Sequence, residues 1–171
     1  MLNINKNLSH YSLPIFLVFI LALSRLIPHP PNFTPIIAVA MMSGYFFKDK
    51  YFSFFILFIS MLLSDLFLGF YKGMSIIYLS LFIITYFFFI LSSKINGKNL
   101  FYFSFLASLL FYLITNFSVW YLGDLYEKSL KGLIYCYYMA IPYFSKTFFS
   151  TLFFSYAAFF LNFFFKKKVL N

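Results

Sequence analysis

Few residues in this chain can do chemistry, and all of them stand in apolar surroundings. Arg25, His29 and Asn32 fall in "RLIPHPPNFTP", Asp65 in "LLSDLFLGF", and Asn116 and Trp120 in "TNFSVWYLG". An arginine and an aspartate inside apolar runs are costly unless they face inward, so Arg25 and Asp65 are expected to pair. Such a pair either fixes helix register or holds a ligand, and the residue types allow both. His29 has no second His, Cys or carboxylate at ligand spacing, so it reads as a hydrogen-bonding loop residue and no metal is expected. Asn32 and Thr34 are turn and cap residues first. Asn116 and Trp120 stand one helical turn apart and can line a pocket together; an anchor at headgroup level is the equal alternative for Trp120. Arg25, His29, Asn32, Asp65, Asn116 and Trp120 make up the candidate binding set. No H-E-x-x-H, G-x-S-x-G, Walker lysine loop or pair of intramembrane aspartates occurs, so no catalytic residue and no cofactor is expected.

The elements that must position these groups follow from composition. Of 171 residues, 63% are hydrophobic and 10% charged, against roughly a quarter charged in a soluble domain. So little polar surface makes the bilayer the solvent. Thirty Phe and fifteen Tyr read mainly as core or lipid-facing filler. The net charge of +9 sits in short clusters between apolar runs, which orient a membrane protein and touch anionic headgroups; nucleic acid is not an expected partner. The single Cys136 excludes an internal disulfide. The first apolar run lacks an A-x-A cleavage signal and reads as a retained span.

One transmembrane domain over residues 1–171 is expected, all-α, with six spans at about 11–28, 33–47, 51–70, 74–93, 99–122 and 143–165. Lys6, Lys48, Lys50, Lys94, Lys98, Lys166, Lys167 and Lys168 fall on one side, and Lys72, Lys128, Lys131 and Lys146 with Asp124 and Glu127 on the other. That imbalance predicts both termini in the cytoplasm. Residues 129–141 are too few to cross and precede Pro142, so an interfacial or re-entrant helix is expected before the last span.

Thr34 followed by Pro35 reads as a helix start. From Pro35 to Phe47 is only about 20 Å of helix, against about 30 Å of hydrocarbon. The Pro-rich link between the first two spans is therefore expected to be re-entrant, the rim or floor of a pocket. Depth agrees, because Arg25, Asp65 and Asn116 each lie about 21 Å along parallel helices. A helix N-terminus and Arg25, offset in part by Asp65, would suit a small ligand with an anionic or zwitterionic end and an aromatic-tolerant body. Small pairs such as Ala40 with Gly44 permit close helix contacts, expected inside the chain.

"RLIPHPPNFTP", "SDLFLGF", "TNFSVWYLG" and "YCYYMAIPYFSKT" together resemble the successive signatures of a family of uncharacterised bacterial membrane proteins described as transport proteins. That family is similar to the substrate-binding (S) components of energy-coupling-factor vitamin transporters. The resemblance covers about residues 20–160. It implies a multi-pass protein of the bacterial cytoplasmic (inner) membrane that captures a vitamin-like molecule from outside. It also implies docking on an energy-coupling transmembrane protein with ATPase subunits. The A-x-x-x-A docking face of many S components is missing from "FILALSRL", which leaves a solitary version open. Two other readings stand beside it: a structural subunit of a cell-envelope or cell-shape complex, and an intramembrane enzyme using Asp65 and His29.

Overall fold

Backbone groups in hydrocarbon must bond within their own segment, and helix is the form that does so for separate apolar runs. The computed structural model describes residues 15–16, 19–20, 23–28, 30–71 and 73–169, and the side chains of these as far as residue 164. Among the described residues there are five α-helices and no strand: α1 Ile36–Phe47, α2 Lys50–Leu68, α3 Met74–Ile90, α4 Leu100–Leu122 and α5 Leu130–Val169. Upstream, Ile15, Phe16, Phe19, Ile20 and Leu23 have helical backbone and lead into a 3-10 turn, Ser24–Leu26. Residues 11–14, 17–18 and 21–22 of the first expected span lie outside the described residues. Three helices, α2, α4 and α5, are long and apolar enough to cross a membrane. The chain is a membrane protein of all-helical build.

The shortest helix is the central one. In α1 every residue from Ile37 to Gly44 is buried, as are Phe46 and Phe47, and it touches α2, α3, α4 and α5. Uniform burial explains why its sequence is apolar all round rather than striped. On one side Gly44 lets α3 come close: a Cβ there would lie 2.7 Å from the Phe89 Cα. The small pair read from sequence thus serves a contact inside the chain. At the far end Lys48 turns the chain with φ 54°, and Asp49 caps α2 by accepting from the Phe52 N–H at 2.8 Å. Helices α4 and α5 run antiparallel, with Phe101 on Phe148, Phe105 on Phe144 and Tyr112 on Tyr137.

Three expectations need correction. Helix α1 starts at Ile36 and not at residue 33; Pro35 takes the cap position and no side chain caps it. The Thr34 carbonyl instead accepts the Ser150 hydroxyl at 3.1 Å, which ties the residue expected to cap α1 to α5. The fourth run stops at Ile90, and a 3-10 turn over Ser92–Lys94 follows.

The largest correction concerns residues 129–141. They are not a separate interfacial helix, because α5 runs unbroken through Pro142 for 40 residues. Its length is about 60 Å, so it tilts or projects well beyond about 30 Å of hydrocarbon. Proline removes one backbone donor, and packed neighbours can re-satisfy the ladder. Pro142 removes the donor that would meet the Tyr138 carbonyl; one residue away the Tyr112 hydroxyl donates to the Tyr137 carbonyl at 2.6 Å, and the Tyr137 hydroxyl donates to the Leu113 carbonyl at 2.7 Å. Those two bonds pin α5 to α4 one turn before the proline.

Candidate functional site

Arg25 is delivered by the Ser24–Leu26 turn, which packs on α2. Its Nη2 lies 2.8 Å from Asp65 Oδ1, an ion pair without hydrogen-bond alignment. Its Nη1 donates to Ser64 Oγ at 2.5 Å and reaches Met61 Sδ at 3.5 Å. Met61, Ser64 and Asp65 form one patch because residues three and four apart share a helix face. The other carboxylate oxygen, Oδ2, accepts from the Tyr78 hydroxyl of α3 at 2.7 Å. The Arg25 and Asp65 side chains are 8% and 0% exposed, so each charge depends on the other.

Two cavities open beside this cluster. The larger, about 270 Å³, is lined by Arg25, Asn32, Thr34, Tyr71 and Thr147 with an apolar remainder that includes Ile36, Ile37 and Phe111. The smaller, about 140 Å³, is lined by Asn32, Phe111, Tyr112, Thr115, Asn116 and Tyr143 among others. Asn32, Phe111 and Thr147 belong to both and form the wall between them.

The link carrying Asn32 is a tight turn in which the Phe33 N–H donates to the Pro30 carbonyl at 3.0 Å. Asn32 holds φ at 63°. Proline second and asparagine third suit a turn that needs positive φ at its third position. This turn lies at the level of Phe111, whereas α4 continues eleven residues further to Leu122, roughly 16 Å. Pro30, Pro31 and Asn32 are exposed, and Asn32 borders both cavities.

The cavity's electrostatics follow. Asp65 offsets Arg25, leaving the uncapped N-terminus of α1, beside Ile36 and Ile37, as the unbalanced positive feature. The half-buried Tyr71 adds a neutral donor: burial, and then Asp65, raises its phenol above the usual 10.0, while Arg25 opposes the shift. Free N–H and O–H groups around an apolar wall can hold a ligand's acceptor end: a carboxylate, carbonyl or phosphate.

Among the six candidate residues, Arg25 and Asn32 line the larger cavity, and Asn32 and Asn116 the smaller. Asp65 lines neither and stands behind Arg25 as its counter-ion. Trp120 lines neither of these two cavities; its Nε1 donates to the Glu127 carbonyl at 2.8 Å. The α4–α5 connection turns back over it, and Lys128 Nζ bonds the carbonyls of Trp120, Tyr121 and Gly123 nearby. His29 lies outside the described residues. Tyr71, Phe111, Thr115, Tyr143 and Thr147 were not singled out from sequence. Thr115 stands beside Asn116, and Thr147 ends the "YFSKT" block, which were the available signals. Among the described residues no cluster of three His, Cys, Asp or Glu could hold a metal.

Several apolar helices, three of them long and apolar enough to cross a membrane, define an α-helical membrane protein. The chain matches the family described as "Family of unknown function (DUF6580)" over residues 5–170 and belongs to it. No curated protein and no solved structure matches.

Proposed function

We propose that this protein is the substrate-binding membrane component of a small-molecule uptake system, holding a vitamin-like ligand in an outward-facing pocket. The observation that carries this reading is the Pro30–Phe33 turn, whose Asn32 borders two adjoining cavities that also share Phe111 and Thr147. Binding pockets usually measure about 300–1,000 Å³. The larger chamber, about 270 Å³, approaches that range, and movement of the dividing side chains would join the smaller one to it. The ligand's acceptor end would meet the start of α1 and the outer N–H groups of Arg25, and its body would lie along Phe111 and Ile77.

Six spans with both termini inside, in a bacterial cytoplasmic membrane, complete the reading. The lysine distribution supports that sidedness, and it puts the mouth of the pocket outside. An energy-coupling membrane protein with ATPase subunits is the partner such a component would use.

Native mass spectrometry of protein purified in mild detergent tests the proposal. A discrete small molecule should co-purify with the wild type and be lost or greatly reduced in Asn32→Ala and Thr147→Val, which leave the ion pair intact. Apo protein under every growth condition, with envelope proteins co-purifying and altered cell shape on deletion, would favour the structural-subunit reading.

A further inference from the structure

Helices α3 and α4 pack ring on ring near their joined ends, with Phe88 against Phe103 at 5.6 Å. At their other ends they form the walls of a cleft of about 640 Å³. Ser75 and Ile76 of α3 line one wall and Ser118 and Val119 of α4 the other, and Asp124 and Leu125 border the cleft just past the end of α4. It is larger than either chamber beside Arg25 and shares no lining residue with them. Its volume falls within the usual range of binding pockets, about 300–1,000 Å³. Gly73, which enters α3 with φ 90°, adds to the room, since nothing lies within 4 Å of where its Cβ would stand.

Depth assigns the cleft to the membrane surface. Helix α4 has 23 residues, about 34 Å, close to the thickness of the hydrocarbon, about 30 Å. When it crosses, its end at Leu122 stands at headgroup level, where residues like Trp120 are enriched. Away from the mouth the walls are apolar. Val119 and Leu122 are exposed on α4, and on α3 Ile76 is followed along its own face by the exposed Leu79 and Ile83.

The mouth carries opposite signs on its two walls, because antiparallel helices bring the negative end of α4 beside the positive end of α3. On the α4 side stands Asp124, which makes no ion pair among the described residues. Lys128, the cation nearest to it in sequence, is committed elsewhere, its Nζ bonding the carbonyls of Trp120, Tyr121 and Gly123. The end of α4 thus already receives one ammonium group. Ser118 Oγ donates to the Thr115 carbonyl at 2.7 Å, so what it offers the cleft is an acceptor. On the α3 side the first turn has no side-chain cap and no acid.

We propose that this cleft binds an aminophospholipid. Its ammonium group meets Asp124 and Ser118 Oγ, its phosphate meets the start of α3, and an acyl chain lies along Val119, Leu122, Leu79 and Ile83. A cation, an anion and a hydrocarbon tail in that arrangement complement the walls in charge and in polarity. The site is separate from the cavities of the ligand-binding reading and does not depend on it.

Native mass spectrometry in mild detergent tests the site, with phosphatidylethanolamine and phosphatidylglycerol of identical chains added in equal amounts. The wild type should retain phosphatidylethanolamine about tenfold better, the worth of one hydrogen bond to a charged group. Asp124→Asn should abolish that preference, whereas Glu127→Gln, at an exposed acid that does not line the cleft, should keep it. Equal retention of the two lipids by the wild type, an undiminished preference in Asp124→Asn, or equal losses in both variants overturns the proposal. Displacement of the lipid by free phosphoethanolamine would assign the cleft to a soluble zwitterion and overturn it as well. Melting temperature gives a second readout, because binding to the folded state raises it. Phosphatidylethanolamine should raise it more than phosphatidylglycerol in the wild type and equally in Asp124→Asn. Asn32→Ala and Thr147→Val should keep the lipid preference, so failure at either site leaves the other standing.

Discussion

Two polar regions are buried in this bundle, and they are built on opposite principles. Around α2, Arg25, Ser64, Asp65 and Tyr78 interlock, with both carboxylate oxygens within 2.8 Å of a donor. On α4 and α5, Ser104, Ser108 and Ser155, at comparable burial, have no hydrogen-bond partner among the described residues. Interlocked charges fix geometry because each group strands another if it moves. Unpaired hydroxyls fix no geometry and are costly where they are buried. The first arrangement suits an anchor that holds the chain entering the Pro30–Phe33 turn; the second adds nothing to register.

The largest test of this contrast removes one charge from the anchor. Arg25→Ala leaves Asp65, 0% exposed, without its counter-ion, and should cost about 3–5 kcal/mol. Asp65→Ala should cost a similar amount, and the double variant clearly less than the two singles added. Denaturant titration in mixed micelles measures all three. Strict additivity would mean that the two charges are independent, and the distinction between the anchor and the unpaired serines would fall.

A gentler change compares hydroxyl with hydroxyl. Tyr78→Phe deletes the donor to Asp65 Oδ2, held at 2.7 Å, and a hydrogen bond to a charged group is worth about 1.5–3 kcal/mol. Deleting the hydroxyl of Ser104 should cost little by the same assay. Equal losses at the two positions would erase the contrast.

The central helix experiences the same contrast on its two sides. Toward α3, Gly44 admits no extra atom, since a Cβ would meet the Phe89 backbone at 2.7 Å. Gly44→Ala should destabilise by about 1–3 kcal/mol through overpacking. Toward α5, Ala158→Ser, another one-atom addition at a site 2% exposed, should be tolerated better, because the added hydroxyl can bond the Phe154 carbonyl of its own helix. Thermal melts of the two variants side by side sharpen or break the claim.

Sequence carried the anchor well and the pocket walls poorly, for identifiable reasons. Arg25 and Asp65 were legible because charges are rare in such a chain and both sit at matching depth. The turn in the link was legible because "PPNF" encodes it, with asparagine where positive φ is needed. Tyr71, Phe111 and Tyr143 were not, since Phe and Tyr are so abundant here that one ring is indistinguishable from the next. Burial of α1 on all sides left no amphipathic stripe to orient it. The contact of Trp120 with the Glu127 carbonyl was not legible, because it belongs to a connection whose path no local pattern fixes. Pro142 misled for a different reason: the rule that proline ends helices holds best in water, and bonds from α4 hold this helix together.

Asn32→Gly should give the smallest change in stability, and Asn32 is the most informative position about the pocket. Its φ of 63° is the left-handed conformation that asparagine tolerates and glycine adopts freely. Asn32→Gly should therefore keep the turn and alter stability by only about a few tenths of a kcal/mol. Asn32→Ala, forced into the same φ, should cost about 1–2 kcal/mol. The two variants remove the same amide from the wall between the chambers and differ mainly in backbone strain. If the amide bonds a ligand, both should weaken binding by about tenfold, the loss of one hydrogen bond, although only one is destabilised. Calorimetric titration with the co-purified molecule separates these effects. Weaker binding in Asn32→Ala alone would reduce Asn32 to a turn residue, and the two chambers would have to be joined by movement of Phe111 or Thr147 instead.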